Sequence, residues 1–214
     1  MDQIIFTTVI SLIILLFSVI IHEIAHGTVA YALGDPTAKN AGRLTLNPIS
    51  HLDPVGSILL PGILLWMSSL YGGQFVFGWA KPVPVNPLNY TDRRWGQLKV
   101  GIAGVAVNFL IAVIFSLLFR FAVNSPYVTE EFLVIISLVA VYNFLLGMFN
   151  LLPFPPLDGS HVLFSLMGGR FPRLKFFLEK FGTYILLFLI FLGLDWISTF
   201  SLFLFSIISG TLVI

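Results

Sequence analysis

The residues best suited to chemistry are His22, Glu23 and His26, which form the pattern H-E-x-x-H near the end of a long apolar stretch. Residues four apart on a helix share a face, so the two imidazoles can bind one Zn²⁺ ion. Glu23 can then act as a general base towards a water molecule beside the metal. Polar groups are costly inside a membrane span, which favours a functional role; the alternative is two structural histidines bonded to hydroxyls or carbonyls.

A third metal ligand must come from elsewhere, because catalytic zinc usually has three protein ligands. The remaining candidates are His51, Asp53, Asp158 and His161. Asp158 is favoured because it follows a proline-rich break and starts a new helical segment, where Gly159 leaves the backbone uncrowded. An aspartate that only caps this helix would explain the position almost as well.

The composition predicts an all-α polytopic membrane protein. The 214 residues are 57% hydrophobic and only 10% charged, which is far from the profile of a soluble domain. A net charge of +1 gives no basic surface for nucleic acid, and the absence of cysteine excludes disulfides and thiolate zinc sites. The N-terminus carries no basic residue before the first apolar stretch, so this stretch is expected to remain in the protein rather than be removed as a signal peptide.

About five to six transmembrane helices are expected. A stretch from 55 to 71 is short and contains Pro61 and Gly62, which favours a re-entrant or interfacial element. Residues 42–48 and 83–87 have the pattern of short membrane-associated strands, to which an extended substrate could add, or of ordinary proline-rich loops. Five other stretches are long enough to cross the bilayer as helices: 4–33, 100–123, 131–152, 174–194 and 196–213.

The distribution of Lys and Arg predicts the orientation. Basic residues are concentrated in 72–99 and 153–180, whereas the connection 124–130 leads into the acidic pair Glu130 and Glu131, with Arg120 near its edge. The positive-inside rule therefore places the first two regions in the cytoplasm. If the histidines share a metal with a residue near position 158, their end of the first helix also faces the cytoplasm.

Three motifs together resemble the site-2 protease family of intramembrane zinc metalloproteases. They are the H-E-x-x-H, the sequence from Gly104 to Asn108, and the sequence from Asn150 to Gly159 that ends in L-D-G. The resemblance covers nearly the whole chain to about residue 170. The chain also resembles the compact prokaryotic branch without PDZ or CBS domains, in which Asn47-Pro48 to His51, Asp53-Pro54 and Gly78 to Pro87 recur.

The resemblance implies a site and a reaction. His22, His26 and Asp158 would bind one Zn²⁺ per chain, and Glu23 would be the catalytic base. The expected reaction is hydrolysis of peptide bonds within or next to transmembrane segments of substrate proteins, at a site towards the cytoplasmic side of the cell membrane. The chain would be a single membrane-embedded domain, 1–214, with a catalytic core of about 1–170 and C-terminal helices at 174–213.

Three further polar residues are weaker candidates. Asn150 and Asn108 could donate to a strained substrate backbone or an oxyanion, and hydrogen bonding between helices is the alternative for both. His51 could contact the cavity or orient a metal ligand, or could hold a loop.

Two other functions fit part of the pattern. A metal transporter also places histidines and carboxylates in a membrane, but has no need for a single base beside the metal. An inactive protein that only binds transmembrane helices has no chemical need for all four site residues. The sequence indicates partners in the lipid bilayer and among transmembrane proteins or peptides, but no oligomeric state.

Overall fold

The computed structural model describes residues 2–59, 62–64, 66–67 and 80–211, and it is built from helices. No strand occurs in these residues. The main helices are α1 (Asp2–Ala32), α2 (Thr37–Asn40), α3 (Arg93–Ala122), α4 (Glu130–Asn150), α5 (Asp158–Met167), α6 (Pro172–Leu192) and α7 (Asp195–Ser209). Short 3₁₀ turns at Pro48–His51 and Pro87–Asn89 and a π-helical turn at Pro54–Leu59 lie between α2 and α3.

Helix α3 is the centre of the bundle, because it contacts α1, α4, α5 and α7. Small residues permit this close packing: Ala112 on α3 and Ala140 on α4 are fully buried against Phe144 and Phe205. In the absence of a hydrophobic effect between apolar helices, such close van der Waals contact supplies much of the association energy.

Local sequence sets the ends of these helices. The side chain of Thr129 accepts a hydrogen bond from Phe132 N and so caps α4, while Glu130 and Glu131 lie where the helix dipole favours negative charge. Pro153 follows the end of α4 and prevents its continuation. The chain therefore breaks before α5.

Three helices are long and apolar enough to cross a membrane: Phe6–Ala32, Trp95–Ala122 and Glu130–Asn150. They correspond to the first three predicted spans. The last two predicted spans form Pro172–Leu192 and Asp195–Ser209, which are bent by 75° and together make one broken span or a re-entrant loop. The described residues thus give three spans, or four with the bent pair, and do not confirm five to six.

The predicted strands are not formed either. Residues 42–48 turn into the 3₁₀ helix capped by Asn47. Residues 83–87 are extended, but two of the five are prolines without an N–H, and the N–H of Val83 is used by Glu23, so no strand ladder forms. The predicted re-entrant element at 55–71 lies partly outside the described residues; its first part is the π-helical turn.

Candidate metal centre and active site

Helix α1 positions the H-E-x-x-H residues. His22 and His26 are one turn apart and nearly buried, and their Nε2 atoms are 3.0 Å apart. The Nδ1 atom of His26 lies 2.6 Å from the carbonyl oxygen of Val100 on α3. Because a carbonyl can only accept, this nitrogen must donate, and the lone pair of His26 Nε2 is then available to a metal.

Asp158, the first residue of α5, completes the cluster. Its Oδ2 atom is 3.0 Å from His22 Nε2 and 3.2 Å from His26 Nε2. Burial raises the pKa of Asp158, but the close polar contacts with His22 and His26 outweigh burial and lower it to about 2. This carboxyl group is therefore ionised at neutral pH.

The three atoms fit a zinc ion. The edges of a tetrahedron around Zn²⁺, with ligands at ordinary bond lengths, are about 3.3–3.4 Å long, and the three observed separations are 3.0, 3.0 and 3.2 Å. Asp158 Oδ2 is buried and makes no hydrogen bond of good geometry with protein. Lone pairs that converge in this way repel one another unless a cation lies between them.

Gly104 on α3 makes room for this convergence. A Cβ atom at this position would lie 2.5 Å from both His22 Cε1 and His26 Nε2. Only a residue without a side chain can approach the imidazoles so closely. Gly104 belongs to one of the three sequence motifs, but the need for a glycine there follows only from the packing of α3 against α1.

Glu23 lies beside the cluster. One of its carboxylate oxygens and one ring nitrogen from each of His22 and His26 lie within 4.8 Å of one another. Glu23 is therefore an alternative to Asp158 as the third metal ligand. Asp158 is the better one, because it is much closer and because Glu23 Oε2 already accepts a 2.7 Å hydrogen bond from Val83 N. This bond holds the Glu23 carboxylate at the edge of the cluster, where a base is needed.

A pocket of about 260 Å³ opens at this cluster. His161 lines it and lies 3.5 Å from the side-chain nitrogen of Gln97. Tyr90 and Gln97 were not identified from the sequence, since nothing in their local pattern distinguishes them from ordinary loop and helix residues. Val83 was identified only as part of the predicted strand at 83–87. The lining residues are Glu23, His26, Pro82, Val83, Val85, Pro87, Tyr90, Gln97, Val100, Gly101, Pro156, Asp158 and His161.

The weaker candidates lie outside this pocket's lining. Asn108 is fully buried and neither polar atom of its side chain has a hydrogen-bond partner. The Asn150 amide donates to Leu146 O, one turn back on α4. His51 is fully buried; its Nε2 bonds Thr45 O, and its own carbonyl accepts from Lys81 N. These contacts join two loops and do not reach the histidine pair.

Asp53, a further candidate for the third ligand, is not brought to the cluster. Its Oδ1 atom accepts from the backbone N–H groups of Val55 and Gly56, as expected of a residue that starts a turn. The structure thus brings together His22, Glu23, His26, Asp158 and His161.

Comparison with known proteins gives concordant results. The model of "Peptidase family M50" matches residues 122–193, a region that contains Asp158. "Putative zinc metalloprotease YwhC" of Bacillus subtilis (strain 168) is 42% identical over 162 residues, which cover 72% of this chain and 67% of the relative. No solved structure matches the chain.

Two further relatives are more distant. "Putative zinc metalloprotease Rip2" of Mycolicibacterium smegmatis is 28% identical over 69% of this chain and 53% of its own length. "Zinc metalloprotease MJ0392" of Methanocaldococcus jannaschii is 30% identical over 44% of this chain and 27% of its own length.

Proposed function

The chain belongs to peptidase family M50, the site-2 protease family, and from that premise we propose that it is a zinc metalloprotease that cleaves peptide bonds within or next to transmembrane segments. The zinc metalloprotease activity agrees with the names of all three relatives. The location of the bond follows from the location of the site. His22, Glu23 and His26 lie in a helix long and apolar enough to cross the bilayer, so a substrate must come to them within or beside the membrane.

We assign the metal ligands to His22, His26 and Asp158. The observation that carries this assignment is the convergence of their three side-chain atoms at 3.0–3.2 Å beside the carboxylate of Glu23. Bound zinc would supply Lewis acidity, which polarises a substrate carbonyl and makes water a better nucleophile near neutral pH.

Glu23 is the base. Its carboxylate accepts the proton from the attacking water and returns it to the leaving amine. The N–H of Val83 keeps one carboxylate oxygen in place at 2.7 Å, which leaves the other oxygen to exchange the proton. Asn150 and Asn108 remain proposed contacts for the substrate or the oxyanion.

The site faces the cytoplasm in this proposal. Val100, which bonds His26, lies near the N-terminal end of α3, and the connection between α3 and α4 lies at the opposite end of these helices. The basic residues at 81–99 and 170–180 are on the side of the site, and the acidic pair Glu130 and Glu131 is on the other side. Transmembrane proteins or peptides are the proposed partners.

Metal analysis of purified protein tests the assignment. We expect wild type to hold zinc close to one equivalent, Glu23→Gln to keep it, and Asp158→Ala to lose most of it, because two histidines alone bind weakly. Unchanged zinc in Asp158→Ala would refute the third ligand. Asp195→Ala is the matched control, because this carboxylate is exposed at the start of α7.

Cleavage is measured with the same proteins. A tagged transmembrane substrate reconstituted with wild type should be cut, and Glu23→Gln with full zinc should not cut it. Metal-dependent flux through vesicles that persists in Glu23→Gln, without cleavage by wild type, would favour the transporter instead.

A further inference from the structure

Arg43 is a buried cation that has no carboxylate partner within the described part of the chain. Its side chain is only 7% exposed, and its Nη2 atom donates to the carbonyl oxygens of Lys81 at 2.6 Å and Pro82 at 3.2 Å. Its Nε atom is buried and unbonded. The ion pairs found among the described residues do not include Arg43. Burial of a charge is costly unless an opposite charge compensates it.

Arg43 lines a second pocket, of about 480 Å³. The extended segment 81–85 separates this pocket from the candidate active site: Lys81 and Pro84 face the second pocket, Val83 and Val85 face the first, and Pro82 touches both. The second pocket therefore contains two cationic residues and no carboxylate. Its lining consists of Ala41, Gly42, Arg43, Ile49, Ser50, Leu52, Lys81, Pro82 and Pro84.

Exposed apolar side chains lie in the lining of this pocket and in the sequence that flanks it. Ile49, in its lining, is 76% exposed, and Leu46 is 58% exposed. Val55 and Leu59 on the following π-helical turn are also more than half exposed. In a membrane protein, such residues next to cations are typical of the interface, where apolar groups enter the hydrocarbon and Arg or Lys remain at the depth of the phosphates.

We propose that the Arg43–Lys81 pocket binds the phosphate group of an anionic membrane phospholipid. A guanidinium binds phosphate oxygens with directed, charge-assisted hydrogen bonds, and Lys81 adds a second charge. Inorganic phosphate offers the same oxygens, but only a lipid also brings acyl chains to Leu46 and Ile49. Basic pockets at the membrane surface recognise lipid headgroups by this combination.

Lipid binding would also support the active site. Arg43 holds the carbonyls of Lys81 and Pro82, and the next residue, Val83, donates its N–H to Glu23. A phosphate that fixes the guanidinium therefore fixes the segment that positions the base.

Native mass spectrometry of the full chain in detergent tests the proposal. The protein is titrated with dioleoyl phosphatidylglycerol and, separately, with dioleoyl phosphatidylcholine. We expect the Kd for the first phosphatidylglycerol to rise about tenfold in Lys81→Glu, because this change reverses one of two charges near the phosphate. The hydrogen bonds from Arg43 go to the backbone carbonyls of Lys81 and Pro82, so this variant retains them.

Lys39→Glu is the matched control. It changes the net charge equally, but the Lys39 ammonium bonds the Tyr31 hydroxyl at 2.7 Å and does not line the pocket. Unchanged phosphatidylglycerol binding in Lys39→Glu supports the proposal. Equal weakening in both variants, or equal binding of the two lipids by wild type, would refute it.

Inorganic phosphate distinguishes the two sources of the group. We expect millimolar phosphate to leave the bound lipid in place. Displacement of the lipid at that concentration would show a site for small anions and overturn the lipid as its occupant. Arg43→Lys, which keeps the charge but loses the fork of donors, should bind lipid more weakly than wild type while retaining the helical circular dichroism of wild type; undiminished binding counts against the role of Arg43.

Discussion

At the scale of single residues, the candidate site depends on small residues that leave space for the metal-binding side chains as well as on those side chains themselves. Gly104 is the clearest case. It has no side chain, and the imidazoles of His22 and His26 occupy the space that a Cβ atom would need. His22, Glu23 and His26 could be proposed from the sequence because their spacing places both histidines on one helical face, whereas the need for this glycine depends on how two helices far apart in the sequence meet.

Gly104→Ala should remove zinc without unfolding the protein. The added methyl group would lie 2.5 Å from two imidazole atoms. The rings must therefore move, and their contacts with Asp158 Oδ2 are lost. We expect zinc to fall well below one equivalent, with helical circular dichroism unchanged. Gly101→Ala is the control, because its nearest neighbour is the Cβ atom of His161 at 3.1 Å rather than a ring of the histidine pair. Full zinc in Gly104→Ala would contradict the proposed role.

Asn108→Leu separates a functional amide from a structural one. Because both polar atoms of Asn108 are buried without partners, an apolar residue of similar size should leave the free energy of unfolding unchanged or raise it by about 1 kcal/mol. If the amide serves the substrate, cleavage should fall on the order of tenfold or more. Both are measured on one preparation, by thermal unfolding and by substrate cleavage. Lower stability with unchanged cleavage would show that the amide is structural.

At the scale of elements, the irregular segment 80–92 holds the carboxylate of Glu23, the proposed base, although it contains no regular strand. Three contacts fix it: Lys81 N to His51 O, Arg43 to the Lys81 and Pro82 carbonyls, and Asn86 N to Asp35 Oδ2. The prolines that suggested an extended conformation in the sequence were informative. The partners were not predictable, because each comes from a different distant segment.

Asp35 is the centre of this network and gives it a dependence on pH. The side chain is fully buried, and it accepts hydrogen bonds from Asn86 N at 2.6 Å, Asn89 Nδ2 at 2.8 Å and the Thr37 hydroxyl at 2.5 Å. Burial raises the pKa of Asp35, but these donors outweigh burial and lower it below its usual value. The folded state therefore binds this proton less readily than the unfolded state.

Asp35→Asn should remove this dependence. A lowered folded-state pKa stabilises the protein above the unfolded pKa of about 3.9, and the contribution is lost as the pH falls further. At pH 7 the variant should lose about 1–3 kcal/mol, because an amide N–H would then face the Asn86 N–H. Below about pH 4 the difference from wild type should shrink. Thermal unfolding of both proteins from pH 7 to pH 3 measures this difference in stability, with Asp195→Asn, at an exposed position, as the control. A difference that stays constant over this pH range would refute the role of Asp35.

At the scale of the whole molecule, length and composition predicted the first three spans, and the motifs predicted that His22, His26 and Asp158 lie together. The number of spans was not predictable in the same way. Residues 174–194 and 196–213 are each apolar enough to cross, but Gly193 lies between them at φ 93° and the two helices bend by 75°. Hydropathy measures preference for lipid and contains no information about such a bend.

The absence of cysteine in the sequence permits a direct test of orientation. Tyr127 is 94% exposed in the connection between α3 and α4, and Arg170 is exposed on the side of the site. In intact cells, a membrane-impermeant maleimide should label Tyr127→Cys, and it should label Arg170→Cys only after lysis. The reverse pattern would place the site outside the cell and refute the proposed topology.

The distance along the chain between His26 and Asp158 has a consequence for biosynthesis. Helix α1 carries the two histidines and the glutamate of the candidate site, but Asp158, the proposed third ligand, follows more than a hundred residues later. Gly104 must also have packed against the imidazoles of His22 and His26. A nascent chain therefore lacks the complete candidate metal site until Asp158 has been synthesised and α5 has packed against α3.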